Sequence, residues 1–395
     1  MIGTPTPLLT FPEELLPVAD KVARGERLTA DDAMVLFEHP DYVAVGQLAH
    51  AVRTRRHGDL AFFNKNMRLE VTNVCQASCL FCSFAKLEEG APGSHTMKLE
   101  EAWRELEVRL ADPPDEIHIV NGLHPGLPFS YYEDLLRGFK RLKPDVHLKC
   151  FTAVEIHFFA EHYKMSYEEV FTRLRAAGLD SLPGGGAEIF HPEVRTRISG
   201  DKADAEQYLE VHRVAHRVGL RTNVTMLYGH IETFAHRVDH LLRVRALQDE
   251  TGGFQAFIPL AFHPDGNGMR HLPGPTGVDD LRTIAVSRLV LDNVDHIKAY
   301  WVSSTPKVAQ VALRFGADDV DGTIEHETIY HAAGSTSPQG LTLDGLLRLI
   351  REAGMRPVLR DTLYRHLREY PKAATPEASV KVRERKASRH LEVLP

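Results

Sequence analysis

From residue 67 onward the apolar positions of this chain switch repeatedly between two spacings. Short runs with alternating or continuous apolar residues read as strands: MRLEVTN (67–73), EIHIVNG (116–122), VHLKCFT (146–152), LDSLP (179–183), RTNVTMLY (221–228), FQAFIPLAF (254–262), HIKAYWV (296–302) and DDVDGT (318–323). Between them, apolar residues three and four apart predict amphipathic helices over 98–111, 130–143, 166–178, 205–219, 237–250, 278–293 and 307–316. A further helix, 342–354, follows the last strand beyond a loop, and glycines at 178 and 219 close two of the others.

Strand and helix alternating eight times, with connections long enough to cross over, predict an α/β fold. Right-handed crossovers put every helix outside a parallel (β/α)8 barrel of the TIM type. A partial barrel of six strands is the alternative. Ahead of it, residues 1–60 predict a helical extension, with two helices split at Gly25, Thr29 as N-cap of ADDAMVLFE, and a third helix from Asp41. The expected organisation is an extension (1–60), a (β/α) barrel (61–323), and a C-terminal helical segment and tail (324–395) packing on it. In the tail, YPKAATPEA reads as a loop and KVRERK as a solvated face. Either barrel gathers reacting groups at the carboxyl ends of its strands.

Composition narrows the partners. The chain has 395 residues, 43% apolar and 26% charged, which is ordinary for a globular protein. A formal charge of -7 provides no basic field to hold nucleic acid. The N-terminus, MIGTPTPLLTFPEELLP, has Pro and Glu where a signal peptide carries a basic region. The longest charge-free run of the central region, Thr251 to Pro264, is 14 residues and is interrupted by Pro259, too short to span a bilayer. Four cysteines are too few for a disulfide framework, and thiolates meant for a metal need a reducing compartment. A soluble, cytoplasmic protein is expected.

Three of those cysteines, Cys75, Cys79 and Cys82, follow the first strand in VTNVCQASCLFCSF. Structural zinc takes four protein ligands, commonly from paired two-cysteine knuckles. A 4Fe-4S cluster held by three thiolates keeps one iron free to bind something else. C-x3-C-x2-C with Phe81 before the last cysteine resembles the signature of radical S-adenosylmethionine enzymes, whose free iron chelates the methionine part of that cosubstrate. A zinc site completed by histidine, in a non-catalytic scaffold protein, is the competing reading. The fourth cysteine, Cys150, lies within a strand and reads as a small buried hydrophobe.

Other strand ends supply candidates for the cosubstrate. Phe81 is placed to flank the cluster and approach the adenine, and Lys86 to lend positive charge. The Asn121–Gly122 backbone is a candidate for the methionine ammonium. Gly184, Gly185 and Gly186 permit close backbone approach, and Glu188 is a candidate acceptor for ribose hydroxyls. These glycines do not form G-x-G-x-x-G after a first strand, which excludes a Rossmann reading. His212 and His216, four apart on one helix, lack the Glu of a zincin motif and read as helix packing.

The stretches VTNVCQASCLFCSF, HIVNGLHPGLPF, FTAVEIHFFA, SLPGGGAEIF, TMLYGHIET, GGFQAFIPLAFHP and VDDLRTIAVSRL together resemble one family closely, over about residues 65–365. It is the radical S-adenosylmethionine aminofutalosine (aminodeoxyfutalosine) synthase family of the futalosine route to menaquinone. The resemblance implies a transferase that consumes S-adenosylmethionine, with one 4Fe-4S cluster on Cys75, Cys79 and Cys82. In that family the adenosyl radical adds to the enol ether of 3-(1-carboxyvinyloxy)benzoate. Rearrangement onto the ring and loss of a carboxylate then give 6-amino-6-deoxyfutalosine. Dehypoxanthine futalosine cyclase, a sister family, shares the cysteine spacing, the glycine turn and a Gly-His-x-Glu segment. Many relatives have Gly-Gly where this chain has Asn121-Gly122. NGLHPGLPFSYY and IPLAFHP favour the synthase.

An aromatic dicarboxylate needs hydrogen-bonding or cationic groups among aromatics. At the expected barrel mouth these are His124, Glu155, Asn223, Thr225 and Tyr228 for substrate binding. His230 and His263 are candidates for carboxylate contacts or proton handling, with Glu232 orienting His230. Arg282 and Arg288 are assigned to outward salt bridges on their helix. A one-electron donor of the flavodoxin or ferredoxin kind is implied, and a homodimer is left open.

Overall fold

The computed structural model of this chain describes residues 11–372, so the expectations for the first ten residues, for YPKAATPEA beyond Lys372 and for KVRERK lie outside the described residues. A strand occurs at each of the eight expected positions. After β1 (Leu60–Asn64), which the pattern did not predict, come β2 (Asn66–Leu69), β3 (Glu116–Ile119), β4 (His147–Cys150), β5 (Ser181–Leu182), β6 (Arg221–Tyr228), β7 (Phe254–Ala261) and β8 (His296–Ile297). These seven, β2 to β8, pair in chain order and wholly in parallel. The next strand, β9 (Asp319–Gly322), belongs to a second sheet with β1, β10 (Arg356–Arg360) and β11 (His366–Glu369), in the order β11-β10-β1-β9.

The barrel is therefore partially closed, in the manner of the partial-barrel alternative but with seven strands in its main sheet. Among the described residues no regular ladder joins β9 to the two edges of that sheet; single parallel bridges stand there instead, Lys298 to Asp319 on one side and Met67 to Glu325, just beyond β9, on the other. Side chains explain the seam. Thr323 Oγ1 accepts from the Asn66 amide (3.0 Å) and donates to the Asn66 carbonyl (2.8 Å), while Asn66 Oδ1 accepts from the Ile324 amide (3.0 Å). These bonds take the place of a regular ladder. A Cβ on Gly322 would stand 2.4 Å from the Asn64 carbonyl oxygen and 2.5 Å from Asn66 Oδ1, so only glycine fits there. The C-terminal segment thus adds two strands to its expected helix, Leu343–Glu352.

Helices cover the outside. Four were not predicted: Ala153–Tyr163, Pro192–Ser199 and the single turns Trp301–Ser304 and Ile329–Ala332. The first, AVEIHFFAEHY, is apolar on nearly every side and so hides its period. It starts at Thr152 through a capping box with Glu155. At the N-terminus, Leu16–Arg24 ends at Gly25 in the left-handed region, Ala30–Glu38 begins at the Thr29 capping box, and Tyr42–His57 begins at Asp41. They pack on the barrel's outer helices: Phe37 stacks on Phe234 at 5.0 Å, and Arg282 donates to the Phe37 carbonyl (2.7 Å). Arg288 does not reach outward as expected. It is fully buried and bonds Asp318 and the Gly316 carbonyl, tying a wall helix to the start of β9. No helix among the described residues is long and apolar enough to cross a membrane.

Candidate active site

The loop after β2 carries the three cysteines and is pinned on three sides. The Cys75 amide donates to the Lys86 carbonyl (2.8 Å), the Gln76 amide to Leu123 (3.0 Å), and the Leu80 amide to Ile198 (2.8 Å). Ser78 binds Asp201 through both its amide (2.5 Å) and its hydroxyl (2.7 Å). So anchored, all three thiols line one cavity of about 280 Å³ at the carboxyl ends of the strands, and none is in a disulfide.

Thiol chemistry tests which metal fits. Thiolates on one tetrahedral zinc, with Zn–S near 2.3 Å, sit about 3.8 Å apart. Among the described residues, this trio is not one of the groups whose ligand atoms all fall within 4.8 Å of one another. Wider spacing suits thiolates bound to separate irons of one cluster. The Ala85 amide points at Cys82 Sγ (3.4 Å), the kind of bond that tunes cluster potential. Burial pushes the Cys75 thiol up and Cys79 to about 11, so a thiolate here needs a nearby cation in place of its proton. The described residues also include two His-and-carboxylate groups with close ligand atoms: His57, His296 and Asp318, and His191, Glu193 and His236. The first sits at the amino ends of β8 and β9, the far end of the barrel, where Arg288 already occupies Asp318.

Phe81 faces the cavity, with Lys202 Nζ 5.1 Å from its ring centroid. Lys202 also pairs with Glu188 at 2.5 Å, and both line the cavity. Glu188 holds φ +47°, unusual for a residue with a side chain. The positive charge expected of Lys86 comes from Lys202, since Lys86 is not on the cavity wall.

The three glycines divide their work. Gly184 packs on the Val224 backbone, 2.8 Å from where its Cβ would stand, and its carbonyl accepts from Tyr208 (2.6 Å) and Thr225 (2.7 Å). A Cβ on Gly186, at φ +92°, would meet Val154 Cγ2 at 2.5 Å. Gly185 faces the cavity with nothing nearer its Cβ position than Thr152 Cγ2 at 3.3 Å. Gly122 is likewise a packing glycine, its Cβ position 2.2 Å from the Val74 carbonyl. The Asn121 side chain is spent on structure: Oδ1 accepts from Val71 (2.8 Å) and Nδ2 donates to Glu155 (3.2 Å).

Several expected substrate residues are elsewhere. Glu155 lies on the wall, but its two oxygens already accept from Thr152 and Asn121, and burial pushes its carboxyl up to about 7. Thr225 is on the wall, whereas Asn223, two residues earlier on the same face of β6, lies outside the lining. Tyr228 points the other way and donates to Asp280 (2.7 Å); with 225 and 227 inward, period two puts 228 outside. His124 is off the cavity, Nδ1 accepting from Gly126 (3.0 Å). His230 and Glu232 lock the turn after β6. The ring accepts from the Ile231 amide (2.7 Å) and meets the Leu227 carbonyl (3.1 Å), while Glu232 takes the Gly229 (2.6 Å) and His230 (2.9 Å) amides and pairs with Arg237. His263 is on the wall, Nε2 bonded to the Ser303 carbonyl (2.8 Å), which leaves Nδ1 as acceptor in the neutral ring. His212 and His216 share Thr222 by hydrogen bonds (2.9 and 2.8 Å).

Residues that sequence reasoning missed include Arg68, His118, Lys202, Tyr300 and Tyr330, all on the wall. Alternating polar residues at 68, 70 and 72 of the first predicted strand, 67–73, are the signal that could have marked the Arg68 face as a polar barrel interior. Lys202, in a loop, carried no such signal.

The Radical SAM superfamily model matches residues 69–244, and the CofH/MqnC C-terminal region model matches 251–374. Aminodeoxyfutalosine synthase of Thermus thermophilus is 48% identical over 358 residues, 90% of this chain and 96% of that protein. The enzyme of that name from Streptomyces coelicolor is 49% identical over 361 residues, covering 89% and 93%, whereas the cyclic dehypoxanthine futalosine synthase of the same organism is 34% identical over 362, covering 91% and 90%. Among solved structures, HydG, a maturase of FeFe-hydrogenase, superposes with a TM-score of 0.71 over 90% of this chain and 77% of its own, at 17% identity, a likeness of fold.

Proposed function

We propose that this chain, which belongs to the aminodeoxyfutalosine synthase family of radical S-adenosylmethionine proteins, makes 6-amino-6-deoxyfutalosine from S-adenosylmethionine and 3-(1-carboxyvinyloxy)benzoate in menaquinone biosynthesis. The observation that carries this reading is the gap in identity: 48 and 49% to two synthases against 34 and 35% to cyclic dehypoxanthine futalosine synthases, over nearly the whole chain in each case.

The cavity supports the reading residue by residue. Cys75, Cys79 and Cys82 would hold a 4Fe-4S cluster, with Ala85 donating to one sulfur. When bound and reduced, such a cluster supplies the electron that splits S-adenosylmethionine into methionine and the adenosyl radical that adds to the enol ether. Lys202, a cavity-wall cation whose charge acts on Cys75 and Cys79, is suited to the cosubstrate's carboxylate, and Glu188 to its ribose hydroxyls. Gly185 leaves room for the backbone to approach the cosubstrate, and Phe81 offers an aromatic face. Leu227, Ile258, Leu260 and Phe262 give the wall an apolar side, which keeps water from a radical that attacks any accessible bond. His263 Nδ1 is an acceptor within that wall. A flavodoxin- or ferredoxin-type donor and a reducing cytoplasm are the corresponding partner and setting.

The deciding assay incubates anaerobically reconstituted, reduced enzyme with S-adenosylmethionine and the enolpyruvyl benzoate. The expected product contains both adenosine and the benzoate ring. Release of 5'-deoxyadenosine alone, with the benzoate unchanged, rejects the assignment.

A further inference from the structure

Two permanent cations line the cavity, and only one is satisfied. Lys202 has Glu188 at 2.5 Å. Arg68 projects inward from the middle of β2, deeper than the cysteine loop that follows the strand. Its Nε is buried without a hydrogen-bond partner, and its nearest carboxylate among the described residues, Asp321, stands 3.6 Å away, beyond hydrogen-bond reach. Asp321 is also shared: Lys298 Nζ lies 3.7 Å from it.

The cations below pair one to one, Lys149 with Glu116 (2.7 Å) and Arg360 with Asp319 (2.6 Å). The barrel floor therefore carries Arg68, Lys149, Lys298 and Arg360 beside Glu116, Asp319 and Asp321, and of these cations Lys149 and Arg360 have a carboxylate within hydrogen-bond reach whereas Arg68 and Lys298 share Asp321 at longer range. Neither nearby acid hydrogen-bonds the guanidinium: Glu70, pushed up to about 8 by burial and by Glu327, accepts from Thr328 (2.8 Å), and Glu327 is engaged by His331 (2.9 Å). Arg68 lies over the Tyr300 ring at 5.1 Å, and Val120, Ile258 and Leu260 line the same cavity as Arg68 and the thiols. A fork of donors at the bottom of an apolar shaft matches a flat ring with a carboxylate at one end.

We propose that Arg68 anchors the ring carboxylate of the aromatic substrate, which holds the ring in the apolar shaft and turns the opposite end toward Cys75, Cys79 and Cys82. The assignment rests on the substrate class given under Proposed function. It makes Arg68 a binding residue that sets depth and orientation, and Tyr300 the surface that keeps the guanidinium flat.

The test compares the reconstituted wild-type enzyme with Arg68→Lys and Arg68→Met. The ligands are the enolpyruvyl benzoate and its analogue with a carboxamide in place of the ring carboxylate. Turnover gives KM and kcat, and calorimetry on the unreduced holoenzyme gives binding. The expected result is a KM for the acid raised about 30-fold or more in Arg68→Met, the lower end of the effect of truncating a buried charge pair. Arg68→Lys should recover part of that loss, and S-adenosylmethionine affinity should not change. Wild type should bind the amide as weakly as Arg68→Met binds the acid. Unchanged KM in Arg68→Met, or a wild type that binds acid and amide equally, overturns the anchor. If Arg68→Met does not fold, the wild-type acid–amide comparison still decides. Failure of the functional reading is separate: it appears as a wild type that makes no adenosylated product at all.

Discussion

Lys202 Nζ and Glu188 Oε1 lie 2.5 Å apart on the cavity wall, with side chains 7% and 9% exposed. The pair joins a loop lysine to a glutamate held at φ +47°, and it sets the charge beside Cys79. Removing one partner leaves the other charge buried alone, which costs about 3–5 kcal/mol. Lys202→Met should therefore lower the melting temperature and weaken S-adenosylmethionine binding together. Adding Glu188→Gln should recover stability without recovering binding. Calorimetry and thermal melts read both, and full cosubstrate affinity in Lys202→Met would reject this lysine as a cosubstrate contact.

Iron content separates the four cysteines. Reconstituted wild type should hold about four irons per chain, as a single four-iron cluster requires. Alanine at Cys75, Cys79 or Cys82 should abolish stable iron and the visible absorption that accompanies it. Cys150→Ala should keep both, because that thiol is wholly buried in β4, away from the cavity. One tightly bound zinc in wild type, or iron lost from Cys150→Ala, contradicts the three-thiolate site.

Gly184→Ala and Gly185→Ala should fail in different ways. The first forces a methyl to 2.8 Å from the Val224 backbone, and overpacking of that kind costs about 1–3 kcal/mol. The second meets only Thr152 Cγ2 at 3.3 Å, so the fold should tolerate it while cosubstrate affinity falls. Denaturant melts and a binding titration distinguish the two, and equal loss of stability in both would refute the division.

Tyr228→Phe should leave KM and kcat within about twofold, because the hydroxyl points away from the cavity to Asp280. Stability should drop by about 1 kcal/mol, the usual worth of one hydrogen bond. A large rise in KM would return Tyr228 to the substrate site.

Glu70 gives stability a pH slope. Its carboxyl is raised from 4.5 to about 8 in the fold, first by burial and then by Glu327. Between those values the folded chain keeps a proton that the unfolded chain releases. Stability therefore falls as pH rises through that window, by at most about 1.4 kcal/mol per pH unit, and levels off above it. Glu70→Gln should flatten the slope between pH 6 and 8. Denaturation midpoints of the metal-free chain across that range check it, and an unchanged slope in the variant dismisses Glu70 as its source.

Strand and helix positions were legible wherever one face of an element stays exposed, since burial then writes a period into the sequence. RTNVTMLY matches β6 residue for residue, and helix 205–217 lies within its expected span. AVEIHFFA was missed as a helix because it is buried nearly all round and shows no period. β1 and β10 were missed because they pair about 300 residues apart, as Leu60 with Arg356, and no local pattern records that pairing, while β11 was missed because all four of its residues are exposed and it shows no apolar face.

The sequence by itself determined the three-thiolate loop, its place after the first strand of the main sheet, and the family, because ligand spacing and strand order are local properties of the chain. Only the tertiary structure decided which polar residues share the cavity. It brought Lys202 to Glu188 and left Arg68 facing the cavity, and it turned Tyr228, His230 and Glu232 to other work. The physical reason is that hydrogen-bonding capacity and charge are finite. A side chain's role depends on which partners folding brings within about 3 Å of it, and that proximity is not encoded in its own neighbourhood of the chain.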